Sequence, residues 1–364
     1  MPSYTGQYTR TVVGNDEVWV LKSSGTFTVE ALITVEALVV GGGGAGGSGD
    51  GGGGGAGGIS YASSRGIGAG SHAVVVGAGG VRGNVAPNTV STNGGASSFN
   101  GMIGNGGGAG QSWASGVPQD GGSGGGGRSG SAMLYGKTTG NVGPQVFGNN
   151  GGHGNYPNSD SNYHQGGGGG AGAAGSIGNG GAGRAFSITG TSTYYGGGGG
   201  GSNASNGHTD WHPGGSGGGG RGASSGAGNV AVAGTNNLGG GGGGGVGEGD
   251  TQGANRLGAN GGSGVVILRF SQIRKVTVTA GTGLSSNKTG INWVINGSAF
   301  SVTFTADNSY IIDTILINGS AFNVTNRRTQ TVSIASVTSD ITIAATARRS
   351  TVSAGSLLAQ QGTQ

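Results

Sequence analysis

The chain has 364 residues, of which 97 are Gly, 6 are Pro and none is Cys, and only 8% are charged. Typical proteins hold about 7% Gly and ~25% charged residues, and each Gly inside a helix or strand costs ~0.5–1 kcal/mol, so an ordinary helical or α/β enzyme is not expected. Collagen is excluded by the missing Gly-X-Y period, and a disulfide scaffold by the missing Cys.

Residues 1–40 are predicted to be β-strands, at 17–22, 25–29 and 31–40, from their Val, Ile and Thr content. Residues 1–10 are polar and lack the apolar core of a signal peptide. No run of 18 apolar residues exists, so no membrane insertion is expected. Action outside a cell then implies another exit, such as lysis.

Residues 41–264 hold 87 Gly in 224 positions, with Gly runs at 41–44, 51–55, 106–108, 124–127, 166–170, 196–201, 217–220 and 239–245. The block is bracketed by two apolar strands, 31–40 before it and 265–270 after it, which are expected to pair and close its base. A flexible linker has no need of such a bracket. Ordering Gly costs ~1–2 kcal/mol of backbone entropy per residue with no side chain to bury in return. A folded block must therefore recover its energy through the backbone. The polyproline II helix leaves every N–H and C=O pointing outward. Runs without Cβ atoms approach closely enough to satisfy one another. The expectation for 41–264 is an ordered sandwich of left-handed polyglycine II helices.

Residues 265–272 form the closing strand. The segment 273–348 holds only 5 Gly and reads as an all-β module, with strands at 275–279, 291–295, 300–305, 310–317, 330–334 and 341–344. The hexapeptide Ile-Asn-Gly-Ser-Ala-Phe occurs at 295–300 and 317–322 and supplies two Asn-Gly turns. Residues 349–364 read as a loose tail. The net charge of +4 comes wholly from residues 273–364, where seven cations face three anions. Those charges are spread, which fits a solvated face with a basic end at Arg348 and Arg349. No nucleic-acid partner is expected.

Sequence motifs for chemistry fail on context. Residues 39–46 match a dinucleotide fingerprint, but the helix and the downstream acid are missing. His208 and His212 have a metal-pair spacing on a helix, yet Pro213 and flanking Gly runs oppose one. Asp50, Glu248 and Asp250 lie beside Gly without the repeated nonapeptide of calcium rolls. No nucleophile elbow precedes a helix. No cofactor, no metal and no enzymatic activity are expected.

Between the Gly runs lie segments carrying aromatics and His. Trp and Tyr among Ser, Gly and Asn make a recognition palette. The candidates are Trp113, Tyr135, Tyr156, Tyr163, His164, Tyr194, Tyr195, Trp211 and His212. The competing reading is that some of them cover the lattice or fill a subunit interface.

The segments GTFTVEALITVEALVVGGGGAGG (25–47) and GGSGVVILRF (261–270) resemble the opening and closing motifs of the glycine-rich domain found in phage tail proteins and surface proteins. The runs-plus-inserts block is similar to the polyglycine II domain of phage tail-fibre tip adhesins. That resemblance implies a glycine lattice carrying receptor-binding loops at one end. Residues 275–347, with FSVTFTADNSYIIDTILING at 300–319, resemble internalin B-repeats and bacterial immunoglobulin-like modules. The fold expectation is thus mainly β plus polyglycine II, with almost no helix. The functional expectation is a virion structural protein on the particle surface, in a tail fibre or appendage, with a host-recognition role. Its expected partners are other virion proteins, further copies in a homo-oligomer (a trimer), and a host surface glycan or outer-membrane protein. The alternative is a purely structural surface protein, such as a capsid decoration or filament subunit.

Overall fold

The computed structural model describes residues 2–85, 89–114, 116–130, 133–155, 163–203, 210–225, 229–247 and 256–350. The chain divides into two compact units, 2–270 and the segment from Ser271 onward. Among the described residues the regular elements are all β-strands, with no helix.

The first unit holds two main sheets. One has six strands, in the order Gln145–Phe147, Ile59–Ile67, Ile33–Val40, Val265–Ser271, Asp16–Leu21, Tyr8–Val13. The other has five, in the order Ser3–Tyr4, Gly25–Val29, Gly70–Val75, Ser97–Phe99, Met102–Gly104. The bracketing strands pair antiparallel, with Val265 opposite Val40 and Leu268 opposite Ala37. Their apolar runs are continuous because Ile33–Val40 is buried on both faces towards its C-terminal end. On one side Phe27 meets Trp19, Phe99 and Phe270 at ring-centroid distances of 5.6–6.0 Å, in edge-on geometry. On the other side Val18, Leu38, Val40, Val265 and Ile267 pack with Ile59, Ile188 and Tyr195. Trp19 Nε1 donates to Glu17 Oε2 at 2.8 Å, and Arg10 pairs with the same carboxylate, so neither the buried indole nor the buried acid lacks a partner.

The glycine runs continue directly from these strands. The run from Gly41 shows how they associate. The N–H groups of Gly41, Gly44 and Gly47 donate to the carbonyls of Gly58, Gly55 and Gly52 at 2.8–3.0 Å. Those of Gly43, Gly46 and Gly49 donate to Gly262, Ala259 and Arg256 at 2.9 Å. Those of Gly42 and Ala45 turn a third way, to Gly95 and Thr92. In return, Gly42, Ala45 and Ser48 accept from Gly107, Gly110 and Trp113, while Gly44 and Gly47 accept from Gly242 and Gly245. Every third residue faces the same neighbour, which is the period of polyproline II backbone. The spacing leaves no room for side chains. A Cβ on Gly43 would strike the carbonyl of Gly240, one on Gly199 that of Gly242, and one on Gly241 that of Gly54.

Not every insert in the glycine block is a loop. The segments at Ile59–Ile67, Gly70–Val75, Ser97–Phe99, Met102–Gly104, Gln145–Phe147, Arg184–Phe186 and Thr193–Tyr195 fold as strands. The mainly β fold thus extends into the glycine block itself.

The second unit has a five-stranded sheet in the order Gly290–Ile295, Ile273–Ala280, Ile341–Arg349, Tyr310–Ile317, Ser320–Phe322. A three-stranded sheet, Leu284–Ser286, Phe300–Ala306 and Thr329–Ile334, faces it. Val276, Val278, Ile315 and Ile343 from the first pack with Phe300, Val302, Phe304 and Val332 from the second. The repeated hexapeptide makes both turns. Gly297 and Gly319 take φ of 83° and 81°, but Asn318 is also left-handed at 50° and Asn296 is not among the positive-φ residues. The second turn is therefore a two-residue hairpin. Arg349, expected in the tail, ends the strand Ile341–Arg349.

Gly241→Val is expected to abolish cooperative unfolding. Its Cβ displaces a run and strands buried N–H groups at roughly 1–3 kcal/mol each, against about 5–15 kcal/mol of total stability. Gly68→Ala, with open space around its Cβ position, is expected to melt within a degree or two of the wild type. Thermal melting followed by circular dichroism measures both.

Candidate functional site at the loop end of the lattice

Runs alternate in direction, so each has one end at the sheets and one end away from them. The far ends are tied together. Trp113 N–H donates to the Ser48 carbonyl, Ser202 to Gly51, Gln165 to Ser202 and Asn203 to Ala223, at 2.9–3.1 Å. Bridges join His164 to Asn203 and Asn203 to Ser224. The chain thus turns back on this end at Ser48–Asp50 and Trp113–Ala114, and the described residues Asn155 and His164, and Asn203 and Asp210, are bonded side by side there, with Asn155 N–H donating to the His164 carbonyl and Asn203 Nδ2 to the Asp210 carbonyl, each at 3.0 Å. The turn after Ser48 uses left-handed backbone at Gly49 (φ 66°) and Asp50 (φ 50°).

Two tryptophans project there. Trp113 is 52% exposed, and the Arg128 guanidinium lies over its ring at 4.2 Å from the centroid. Arg128 Nη2 also contacts Asp50 Oδ2 at 3.2 Å, and its backbone N–H donates to Gln111 Oε1 at 2.7 Å. The cation is fixed from two sides, and the outer ring face stays in solvent. Trp211 is 47% exposed, with Arg221 at 5.3 Å from its ring centroid.

The two histidines meet. His164 Nδ1 and His212 Nε2 are 3.0 Å apart, with ring centroids 4.9 Å apart in edge-on geometry. His212 Nδ1 lies 3.0 Å from the Gly201 carbonyl. A carbonyl only accepts, so Nδ1 carries the proton and Nε2 of the neutral ring accepts from His164. Burial lowers the His212 pKa below the usual 6.5; the Gly201 and Ser202 backbone contacts oppose this, and the charge of His164 adds to the lowering. Tyr163, adjacent to this pair, is half-exposed. Tyr135 lines a surface groove of about 390 Å³ with Val117, Pro118, Gln119, Asp120 and Leu134.

The tyrosines of Thr193–Tyr195 lie elsewhere. That strand pairs with Arg184–Phe186 at the sheet end, away from the loops. Tyr195 is 4% exposed and belongs to the core with Ile59 and Ile188, where burial raises its pKa. It is removed from the recognition candidates, because a side chain enclosed by the core has no face to offer. Tyr194 is exposed but sits on the same strand. Tyr156 and His208 lie outside the described residues. The sequence reading missed Arg128 and Arg221 as companions of the tryptophans. Arg128 was marked by its place immediately after the run 124–127, where that run leaves the lattice. Among the described residues no group of three or more His, Asp or Glu could hold a metal. The described residues contain no helix long and apolar enough to cross a membrane.

The pKa of His212 sets a pH dependence. Below about pH 6.5 the unfolded chain takes up a proton that the folded ring resists. Stability should therefore fall as pH drops from 6.5 towards the lower folded pKa, and level off beneath it. His212→Gln is expected to remove that part of the acid-side loss, read as the difference in melting temperature between pH 7.5 and pH 5.

A model of the family described as glycine-rich domain matches residues 22–271. No curated protein matches the chain.

Proposed function

We propose that this chain, which belongs to the glycine-rich domain family, is a non-enzymatic virion structural protein of a tail fibre or similar appendage that recognises a host surface through its loop end. The observation that carries this reading is the gathering of the turns at one end of the lattice, opposite the sheets. There Trp113 and Trp211 present exposed rings, the first beside Arg128, which Asp50 holds, and the second with Arg221 at 5.3 Å from its centroid. Exposed Trp flanked by Arg is the residue chemistry of binding hot spots. The matching partner is a host glycan or outer-membrane protein, met at the particle surface outside the cell. The runs are read as left-handed polyglycine II helices, which the threefold hydrogen-bond period supports. The glycine unit is read as a homotrimer bound to other virion proteins. Its exposed edge strand Tyr8–Val13 needs cover, and a monomeric mass in light scattering of the folded protein counts against the trimer.

Trp113→Ala and Trp211→Ala are expected to weaken binding to host cells by about 30-fold or more, corresponding to ~2 kcal/mol for a hot spot, with unchanged melting. Tyr195→Ala is expected to do the reverse, costing about 3–5 kcal/mol of stability as large core truncations do. If the tryptophan variants bind host cells like the wild type, the recognition role is lost and a purely structural surface subunit is the better reading.

A further inference from the structure

The five-stranded sheet of the second unit has one long edge strand free of charge and Pro. One edge strand of this sheet is Ser320–Phe322, three residues long, and brevity itself limits pairing there. The other is Gly290–Ile295, six residues with no charge and no Pro. Val294 packs on the core, so the alternating residues Ile291, Trp293 and Ile295 lie on the opposite, outer face. Ile291 and Ile295 are 58% and 53% exposed. The residues opposite them on Ile273–Ala280 are Thr277, Lys275 and Ile273.

The free backbone groups can be assigned. Asn296 N–H donates to the Gln272 carbonyl at 2.7 Å, and these two residues continue the antiparallel register in which Ile295 faces Ile273. In such a ladder, directly bonded pairs recur at every second residue. Residues 290, 292 and 294 therefore point their backbone groups inward. Ile291, Trp293 and Ile295 point theirs out, past the edge. Of these three, Ile291 and Ile295 carry exposed apolar side chains, and Trp293 between them is half-buried on the same face.

The pattern Ile291-x-Trp293-x-Ile295 is a palindrome. An antiparallel pairing with a second copy, centred on Trp293, sets Ile291 against Ile295 of the other copy and Trp293 against its equivalent. In that register every outward N–H of the three meets an outward C=O. A register shifted to centre on Asn292 leaves Ile295 without a partner in the strand. The edge is thus self-complementary in side chain and backbone at once, as an isologous two-fold contact requires. We propose that the second unit associates with a second copy of this chain through the strand Gly290–Ile295, in antiparallel register about Trp293, joining two five-stranded sheets into one.

The chain has no native Cys, so single cysteines report the contact without background. Directly bonded pairs have Cα atoms about 5.5 Å apart, within disulfide reach. Full-length Trp293→Cys is expected to form a disulfide-linked dimer on mild oxidation. Full-length Ile291→Cys is not, because its equivalents lie four residues apart along the paired strands. The double variant Ile291→Lys/Ile295→Lys places cations opposite one another and is expected to halve the wild-type mass in light scattering while melting like the wild type. That two-fold change is separable from any threefold association of the glycine unit. No disulfide at 293, equal cross-linking at 291 and 293, or an unchanged mass in the folded double variant overturns the proposal.

Discussion

The hydrogen bond between one glycine run and the next is the interaction on which the first unit depends. A backbone with a period of three sends its N–H groups in three directions. A single run therefore cannot be satisfied by one partner, as a strand is in a hairpin. The run from Gly41 bonds to segments at Gly52–Gly58, Thr92–Gly95 and Arg256–Gly262 through its donors alone. Those segments are up to about two hundred residues away in the chain. The bonds are ordinary in length, and each contributes only ~0.5–1.5 kcal/mol net. Their number compensates for the absent side-chain core, and their closeness is what excludes a Cβ at Gly43, Gly199 or Gly241.

Such a lattice has no apolar payload of its own, so one end must be anchored by conventional packing. The strands Ile33–Val40 and Val265–Ser271 do this by passing directly into Gly41 and out of Gly264. The aromatic cluster around Phe27 and the aliphatic layer ending at Ile188 and Tyr195 clamp the sheets on both faces. Burial of such residues is worth ~1.5–3 kcal/mol each, a density that the runs themselves cannot match. The lattice therefore has a side-chain end and a turn end, and an insert takes its structure from the end at which it emerges.

That polarity marks where sequence reading succeeded and where it stopped. The bracketing strands were legible because apolar runs abut Gly runs at residues 40 and 265, and the second unit because β-branched alternation and Asn-Gly turns are local signals. The strand Tyr8–Val13 was not singled out within the β region 1–40, since its exposed Thr and Arg residues give no apolar alternation. Nor could the sequence say which end an aromatic occupies. Tyr195 and Trp211 both sit beside Gly in polar-looking segments, yet one is core and the other solvent-facing. A glycine run carries no pattern that names its neighbours. The contacts of Arg128 with Trp113 and Asp50, and of His164 with His212, arise from lattice pairing rather than from chain proximity.

The same physics separates the tolerance of the two ends to change. A substitution in a run collides with a carbonyl of another run, and the damage reaches several segments at once. A substitution at the turn end meets solvent on one side, and the root of each turn is still held by backbone bonds such as Trp113 to Ser48 and Ser202 to Gly51. Backbone bonds do not depend on which side chain the residue carries. Exposed residues like Trp113 and Trp211 can therefore be exchanged without altering the geometry from which they project. Under the proposed recognition role, the side chains of that surface can vary on a fixed backbone frame. The lattice supplies that frame because its cohesion lies in the main chain.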